Sequence, residues 1–447
     1  MKQTLKLLFC FFLVAKGFSQ HSSHTLSLQE AINFALDNNR LAINAARDID
    51  AAKQQKWETT ATGLPQIDIK ADYQNFLKQQ VSLIPAEALG GNPGEFEEVV
   101  FGTKQNATAT ATLSQLLFDG SYIVGLQSAK VYLQISENAK EKTDLEVRKA
   151  VINAYGNVLL AEETVSILNK NISVLKDNLD ETSKIYENGL EEEESVEQLK
   201  ITLSGLESSL RNAERLKTLA YQMLNIVLGT DIDADTTLTD TLEILAEQNV
   251  DLFLLEHEVS VENNIDFQIA ESNLISTELL LKLEKSKYLP TVSAFLNGGY
   301  SGYNNTFSFF KREQDWFGTS LFGVNLTVPV FSSFGRKAAT RRAKINLEKA
   351  KTDLTETEQQ IRLQIATAKS EYQFALEDYG NKKENLSLAE RIELKNQTKF
   401  FEGIASSFEL RQAQTQLYTT QQEYLQALLN IINSKAELET VLNSIGN

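Results

Sequence analysis

The sequence predicts a mainly α-helical chain with a small β component, built as two tandem halves. Proline placement is the first sign. The 447 residues hold only five prolines, Pro65, Pro85, Pro93, Pro290 and Pro329, so very long stretches lack a helix breaker. Short segments of strict apolar–polar alternation are the second sign. The third is an internal repeat, which decides an architecture before any other feature does. LPQIDIKADYQ (64–74) returns as LPTVSAFLNGGY (289–300), and LSQLLFDG (113–120) as LTVPVFSSFG (326–335). YENGLEEEESVEQLKITL (186–203) returns as FFEGIASSFELRQAQTQL (400–417), with Gly189 opposite Gly403. Asn38-Asn39 and Asn263-Asn264 lie upstream at matching distance.

The N-terminus reads as a secretory signal over residues 1–19. Lys2 and Lys6 precede an apolar core from Leu7 to Ala15, and Gly17 and Ser19 supply small residues before a cut ahead of Gln20. Cys10, the chain's one cysteine, falls inside it, so the mature chain is expected to have no disulfide, thiolate site or cysteine nucleophile.

The first repeat is expected over 25–229. It holds a helix at 27–63, strands near 65–76 and 106–118, a helix at 120–187 and a returning helix at 195–228. Ile67, Ile69, Ala71 and Tyr73 alternate with Asp68, Lys70 and Asp72. Leu145, Ile152 and Leu159 recur every seven residues, as coiled-coil-like packing requires. A helix over 120–187 spans roughly 100 Å at 1.5 Å per residue, longer than a globular domain needs. Residues 230–250 read as an acidic connector. The second repeat, 251–447, predicts helices at 252–287, 333–401 and 408–443 and strands near 290–301 and 320–331. Phe322, Val324, Leu326, Val328 and Val330 share one face there. Aromatics from Tyr300 to Phe322 cluster around the loop between these strands, as an interfacial girdle does.

A formal charge of −17 argues against nucleic-acid binding. After the N-terminal core, no stretch reaches the roughly 18–20 apolar residues of a transmembrane helix. A membrane β-barrel gives a weaker, alternating signal that these strands match, although an ordinary half-buried sheet has the same period. In a membrane, the strands of one chain leave two open edges, whose unpaired backbone groups cannot face lipid. Closure takes at least about eight strands, so several chains must pool them.

The doubled order of these motifs resembles the TolC-type outer-membrane efflux protein family across about residues 25–445. The resemblance rests on the two Leu-Pro strand starts (Leu64-Pro65, Leu289-Pro290), the two strands running into long helices, and the two x-x-G-[LI] helix breaks. It implies a homotrimer with a twelve-stranded outer-membrane β-barrel on a long periplasmic α-helical barrel. It also implies passive conduction, with a periplasmic adaptor and an inner-membrane transporter as partners and no cofactor. The helix breaks then form the periplasmic entrance, from Gly189, Glu191, Glu192, Glu193, Glu194 and Ser195 on one side and Phe400, Phe401, Gly403, Glu409 and Gln412 on the other. Pro65, Pro290 and Pro329 mark the barrel strands. The family's entrance tyrosine falls at Phe400, its arginine at Ala405 and its aspartate at Ser195, so that polar lock is absent. The constriction carboxylate is kept at Glu409, and a second acid position holds Gln412. Phe400 and Phe401 are expected to take part in closure, and Ser195 to cap the returning helix.

An enzyme finds little support. His21 and His24 sit at the expected mature N-terminus, His257 stands alone, and no phosphate loop or nucleophile elbow occurs. A periplasmic coiled-coil adaptor or scaffold would account for the signal and the helices, but not for paired strands interrupting both repeats at the same place.

Overall fold

The structure is a computed structural model, and it describes residues 24–256 and 260–443. The expected signal segment, His21 and His257 lie outside them. Two compact units divide the chain. One draws on residues up to 48, 137–270 and from 354 onward; the other on 49–136 and 271–353, so both repeats contribute to both units.

The helical unit begins with β1 (His24–Leu26), which pairs in parallel with β6 (Thr236–Leu238). Next come α1 (Leu28–Asn38) and α2 (Arg40–Ala61). The single helix expected over 27–63 is thus two, and Asn39 is the reason. Its backbone turns extended (φ −63°, ψ 133°), its side-chain oxygen accepts from Leu41 N at 2.8 Å, and its amide donates to Val227 O at 2.7 Å. The helix expected over 252–287 breaks in the same way. A short α6 (Phe253–Glu256) is followed by α7 (Ile265–Ser286), and Asn264 accepts from Asp266 N at 2.8 Å and donates to Val441 O at 2.7 Å. In both halves an extended asparagine starts a new helix and ties its first residues to the last turn of a helix about 180 residues downstream. Asparagine suits this task because one side chain both accepts and donates.

The long rods are α3 (Gly120–Glu187) and α8 (Gly335–Phe401), with returning helices α4 (Glu193–Leu228) and α9 (Ser407–Val441). Val151, Tyr155 and Val158 of α3 are fully buried against Leu224 and Leu228 of α4, Ala31 and Ala35 of α1, and Leu428 and Ile432 of α9. The stretch 230–250 does more than connect. It supplies β6 and α5 (Leu242–Gln248), whose Leu242, Leu245 and Ala246 join this core. The Tyr155 hydroxyl donates toward Asp240 Oδ2 at 2.8 Å and lies 3.0 Å from Leu26 O. Burial, and then the Asp240 carboxylate, hold that phenol well above its usual pKa. A second cluster joins Tyr372 and Ala375 of α8 to Ile431 and Leu438 of α9, and the Tyr372 hydroxyl donates to Asn249 O at 2.7 Å.

The other unit holds an antiparallel sheet in the order β2 (Gln66–Asn75), β5 (Gln105–Asp119), β7 (Thr291–Asn304), β8 (Trp316–Thr327). Each repeat gives two of its strands. Pro65 and Pro290 stand one residue ahead of β2 and β7. Pro329 differs from expectation: β8 runs from 316 to 327, not to 331, so this proline and Val328 and Val330 lie beyond the strand. Proline has no N–H for a ladder, and a strand ending before it loses nothing. The Pro329 carbonyl accepts from Arg336 Nη2 at 2.9 Å. A hairpin of β3 (Val81–Pro85) and β4 (Phe96–Val100), unforeseen from sequence, is inserted between β2 and β5.

Candidate functional site

The sheet's two faces differ sharply. Register aligns Ile67, Leu113, Leu296 and Phe322 in one row, then Ile69, Ala111, Gly298 and Ser320, then Ala71, Ala109, Tyr300 and Gly318. This face also carries Val324 and Leu326, and its large apolar side chains are exposed, with Ile69 at 80% and Phe322 at 68%. Asp68, Lys70, Asp72, Thr108, Thr110, Thr112, Asn297 and Ser301 fall on the other face. Leu117 is an extra residue in β5, a bulge between Leu116 and Phe118 that adds local twist. Both β2 and β8 are edge strands with open hydrogen-bonding edges. A continuous exposed apolar face exceeds what a water-soluble surface tolerates, and one apolar face opposite one polar face is what a barrel wall in lipid requires. Of the expected aromatic girdle, Tyr300, Phe307, Phe310 and Trp316 are exposed, whereas Phe309 is buried. Tyr303 and Phe317 pair with each other, 6.1 Å apart, on the opposite face.

At the C-terminal ends of the rods the two breaks share one backbone device. Gly189 (φ 75°) and Gly403 (φ 71°) adopt the left-handed conformation. Their N–H groups donate to Tyr186 O and Phe400 O, and those of Leu190 and Ile404 to Ile185 O and Lys399 O. These paired bonds form the glycine C-cap that satisfies a helix's last carbonyls.

The segments after the two glycines differ. Glu192, and not Ser195, is the N-cap of α4, and it makes no side-chain capping bond. Ser195 is buried in the first turn; its hydroxyl donates to Glu191 Oε1 at 2.5 Å and lies 2.8 Å from the Ser407 hydroxyl. Since the Ser195 proton is committed to Glu191, Ser407 donates in that pair and links the starts of α4 and α9. Glu192, Glu193 and Glu194 remain exposed, and Glu194 accepts from Gln198. In the second half Ser406 caps α9 and closes a capping box with Glu409, whose carboxylate accepts from Ser406 N at 2.8 Å. That backbone bond, then the Ser406 hydroxyl, holds the Glu409 carboxyl below the usual range. Phe400 is buried within its own chain, edge-to-face with Phe401 at 5.3 Å. Its ring is therefore taken up by its own fold, while the Phe408 ring, at 60% exposure, stands at the surface. Gln412 is exposed and lines an open cleft of about 780 Å³ with Phe408 and Arg411. Arg411 donates to Gln198 and stacks over Phe408, 5.4 Å from the ring centre. Arg411 and Phe408 were not singled out from sequence; an arginine three residues after an aromatic on one helix face was the available signal.

Close to these breaks, α3, α8 and α9 bury polar groups together. Asn178, Thr182 and Gln414 are at most 2% exposed, and Asn178 Nδ2 and Thr182 Oγ1 find no hydrogen-bond partner. Gln397 donates to Asn178 Oδ1 at 3.0 Å. Burial raises the pKa of Glu393 in this seam, with Gln414 acting in the opposite sense, and pushes Tyr418 up to about 12, with Glu393 adding to the effect. An acid whose folded pKa is raised binds its proton more tightly in the folded state. Its stabilising share is complete below the unfolded pKa and is lost as pH rises through the folded value. Glu393→Gln is therefore expected to raise the unfolding temperature at neutral pH and to lose that advantage at acid pH. Thermal melts at several pH values check this, and an advantage independent of pH would contradict it.

Comparison with known proteins agrees with this geometry. Residues 31–230 and 258–444 match the family described as outer membrane efflux protein. The outer membrane protein TolC of Vibrio cholerae is 23% identical over 350 residues, which cover 78% of this chain and 75% of TolC. The probable efflux pump outer membrane protein TtgC of Pseudomonas putida is 23% identical over 427 residues, or 94% of this chain and 83% of TtgC. Among solved structures, CusC superposes with a TM-score of 0.75 at 17% identity, across 93% of this chain and 92% of CusC. VceC of Vibrio cholerae superposes with a TM-score of 0.71 at 16% identity, across 93% and 95%. The family match falls in two blocks that follow the two repeats, and the chain belongs to the outer membrane efflux protein family.

Proposed function

We propose that this chain is the outer-membrane exit duct of a tripartite efflux or type I secretion system, a passive channel open to the exterior. The observation that carries the reading is the four-stranded sheet with an exposed apolar face and two open edges. Lipid can cover the face, but only strands of other copies can satisfy the edges. Two copies supply eight strands, and side chains fill the interior of a barrel that small; three supply twelve and leave a lumen. A homotrimer is thus the smallest assembly of this chain that both closes and conducts. A periplasmic adaptor docks at the helix breaks and couples the duct to an inner-membrane transporter, which provides the energy and selects the cargo. The adaptor-or-scaffold alternative leaves the apolar sheet face without a use.

The entrance is assigned to Gly189, Glu191, Glu192, Glu193, Glu194 and Ser195 with Phe401, Gly403, Glu409 and Gln412. The glutamates recur once per copy around one mouth, where like charges focus a negative potential that favours cations. Conductance across planar bilayers tests this. Replacing Glu191 through Glu194 by glutamine is expected to reduce cation preference several-fold at low salt, with a smaller change at high salt as ions screen the mouth. Unchanged selectivity would make the acidic run a solvated turn, and no conductance by the unmodified protein would sink the duct itself.

A further inference from the structure

The β7–β8 loop, NTFSFFKREQD (305–315), does not project away from the sheet. It folds back over the apolar face and is anchored there. Lys311 N donates to Ser308 O at 2.8 Å and Gln314 N to Lys311 O at 3.2 Å, while Asn304 Nδ2 donates to the Ser308 hydroxyl at 2.7 Å. Phe309, only 7% exposed, sits over the last row of the face, between Tyr73 of β2 at 5.8 Å and Trp316 of β8 at 6.3 Å. Phe307 lies edge-on to Tyr73 at 5.6 Å, and Phe310 follows at 5.8 Å from Phe307. The loop therefore reaches from the β8 edge to the β2 edge of its own sheet. At the β2 end it leaves Phe310 92% exposed, beside exposed Lys311 and Arg312. At the β8 end its last residues, exposed Glu313 and Asp315, lead into the strand. The loop thus presents an exposed aromatic and two cations after its crossing toward β2, and two exposed carboxylates as it returns to β8.

We propose that this loop is a latch between copies of the chain: Phe310, Lys311 and Arg312 of one copy dock onto the start of β8 in the next, beside that copy's Glu313 and Asp315. The proposal rests on the oligomer reading above. In the sheet β2 and β8 run antiparallel to each other, so a ring that joins β2 of one copy to β8 of the next brings the end of the first strand beside the beginning of the second. The basic aromatic tip then meets the acidic root at every junction. Such a contact is head-to-tail, and it repeats until the ring closes. Ser320 on β8's apolar face, with open space over its neighbour Gly298, leaves room there for a ring to lie flat. Desolvated in this way, opposite charges also penalise a wrong register of the β2–β8 pairing.

Mixed oligomers test it. Copies carrying Phe310→Cys and one tag are co-expressed with copies carrying Gly318→Cys or Ser320→Cys and a second tag. The one cysteine of the chain, Cys10, lies in the segment expected to be removed. Mild oxidation is expected to yield a disulfide-linked species carrying both tags, which only a contact between copies can give. Heat-sensitive oligomers that form normally but give no mixed species with either partner would overturn the latch and leave the oligomer standing; Phe310 then faces lipid alone. A monomer from the unmodified chain would remove the oligomer reading and the latch together. Where a cysteine variant fails to assemble, Phe310→Ser is compared with Phe96→Ser, which alters a similarly exposed aromatic on β4. The latch requires a lower temperature of oligomer dissociation for the first only, and equal behaviour of the two would overturn it.

Discussion

Ile69→Lys is expected to abolish recovery of the heat-sensitive oligomer from the outer membrane, whereas Asp68→Lys, one residue earlier, is expected to leave it intact. The two positions are neighbours in β2 and differ only in the face they occupy. Ile69 lies in the apolar row with Ala111, Gly298 and Ser320, and is 80% exposed in the single chain. A lysine near the bilayer midplane costs about 2–4 kcal/mol, and the proposed homotrimer would bear that cost in every copy. Whole-protein stability is of the order of 5–15 kcal/mol, so assembly loses most of its margin. Asp68 lies on the polar face, where a charge stays in water. Fractionation followed by gels of unheated and heated samples gives the answer; equal recovery of the two variants would mean that this face does not meet lipid.

The second large effect belongs to Tyr155. Its ring is fully buried in the core that joins α1, α3, α4, α5 and α9. Tyr155→Ala is expected to cost about 3–5 kcal/mol through the cavity left by a buried aromatic. Tyr155→Phe keeps the ring but deprives Asp240 of the hydroxyl's proton, a loss of about 1–3 kcal/mol. Asp240 still accepts from Leu28 N at 2.8 Å, which places the milder variant at the low end. Denaturant unfolding followed by helical circular dichroism, at one fixed protein concentration, measures both. A Tyr155→Phe variant as unstable as the alanine would show that the hydroxyl and not the packing carries the site.

Much of this architecture could be read from the sequence because it is written twice. Period-two alternation located the strands, and a seven-residue apolar spacing with no proline located the rods. Each reading was supported by its counterpart in the other half. The sequence failed where one residue acts through a distant partner. Asn39 and Asn264 were visible as a repeated pair, but their effect on the helices depends on carbonyls of Val227 and Val441, which local propensity does not see. Ser195 looked like a cap because serine usually is one. The chain starts its helix earlier, at Glu193, and uses the hydroxyl to bind Glu191 and meet Ser407. The β3–β4 hairpin falls in the stretch between the two expected strands, where no strand was expected. Pro85 ends β3, and Pro93 lies in the turn before β4.

At the two helix breaks, composition was legible and orientation was not. A four-glutamate run announces itself, but that Phe400 turns into its own chain and Phe408 turns out is decided by packing. The Glu409 capping box could have been recognised, since Ser406-x-x-Glu409 has the spacing that two reciprocal bonds require.

The asparagine ties have a consequence for how the chain is made. Asn39 waits for Val227, and Asn264 for Val441; β1 likewise waits for β6, whose pairing joins Thr25 to Thr237. Each half stays unfastened until its final helix has been synthesised. The sheet waits as well, since β5, from the first repeat, pairs with β7 from the second. Contacts this distant in sequence close slowly, and during the delay an apolar sheet face and two unpaired edges stand open to any neighbouring chain. A nascent chain of this design is therefore expected to need a holding partner that covers this surface, and overproduction without one is expected to yield aggregates built on strands β2 and β8.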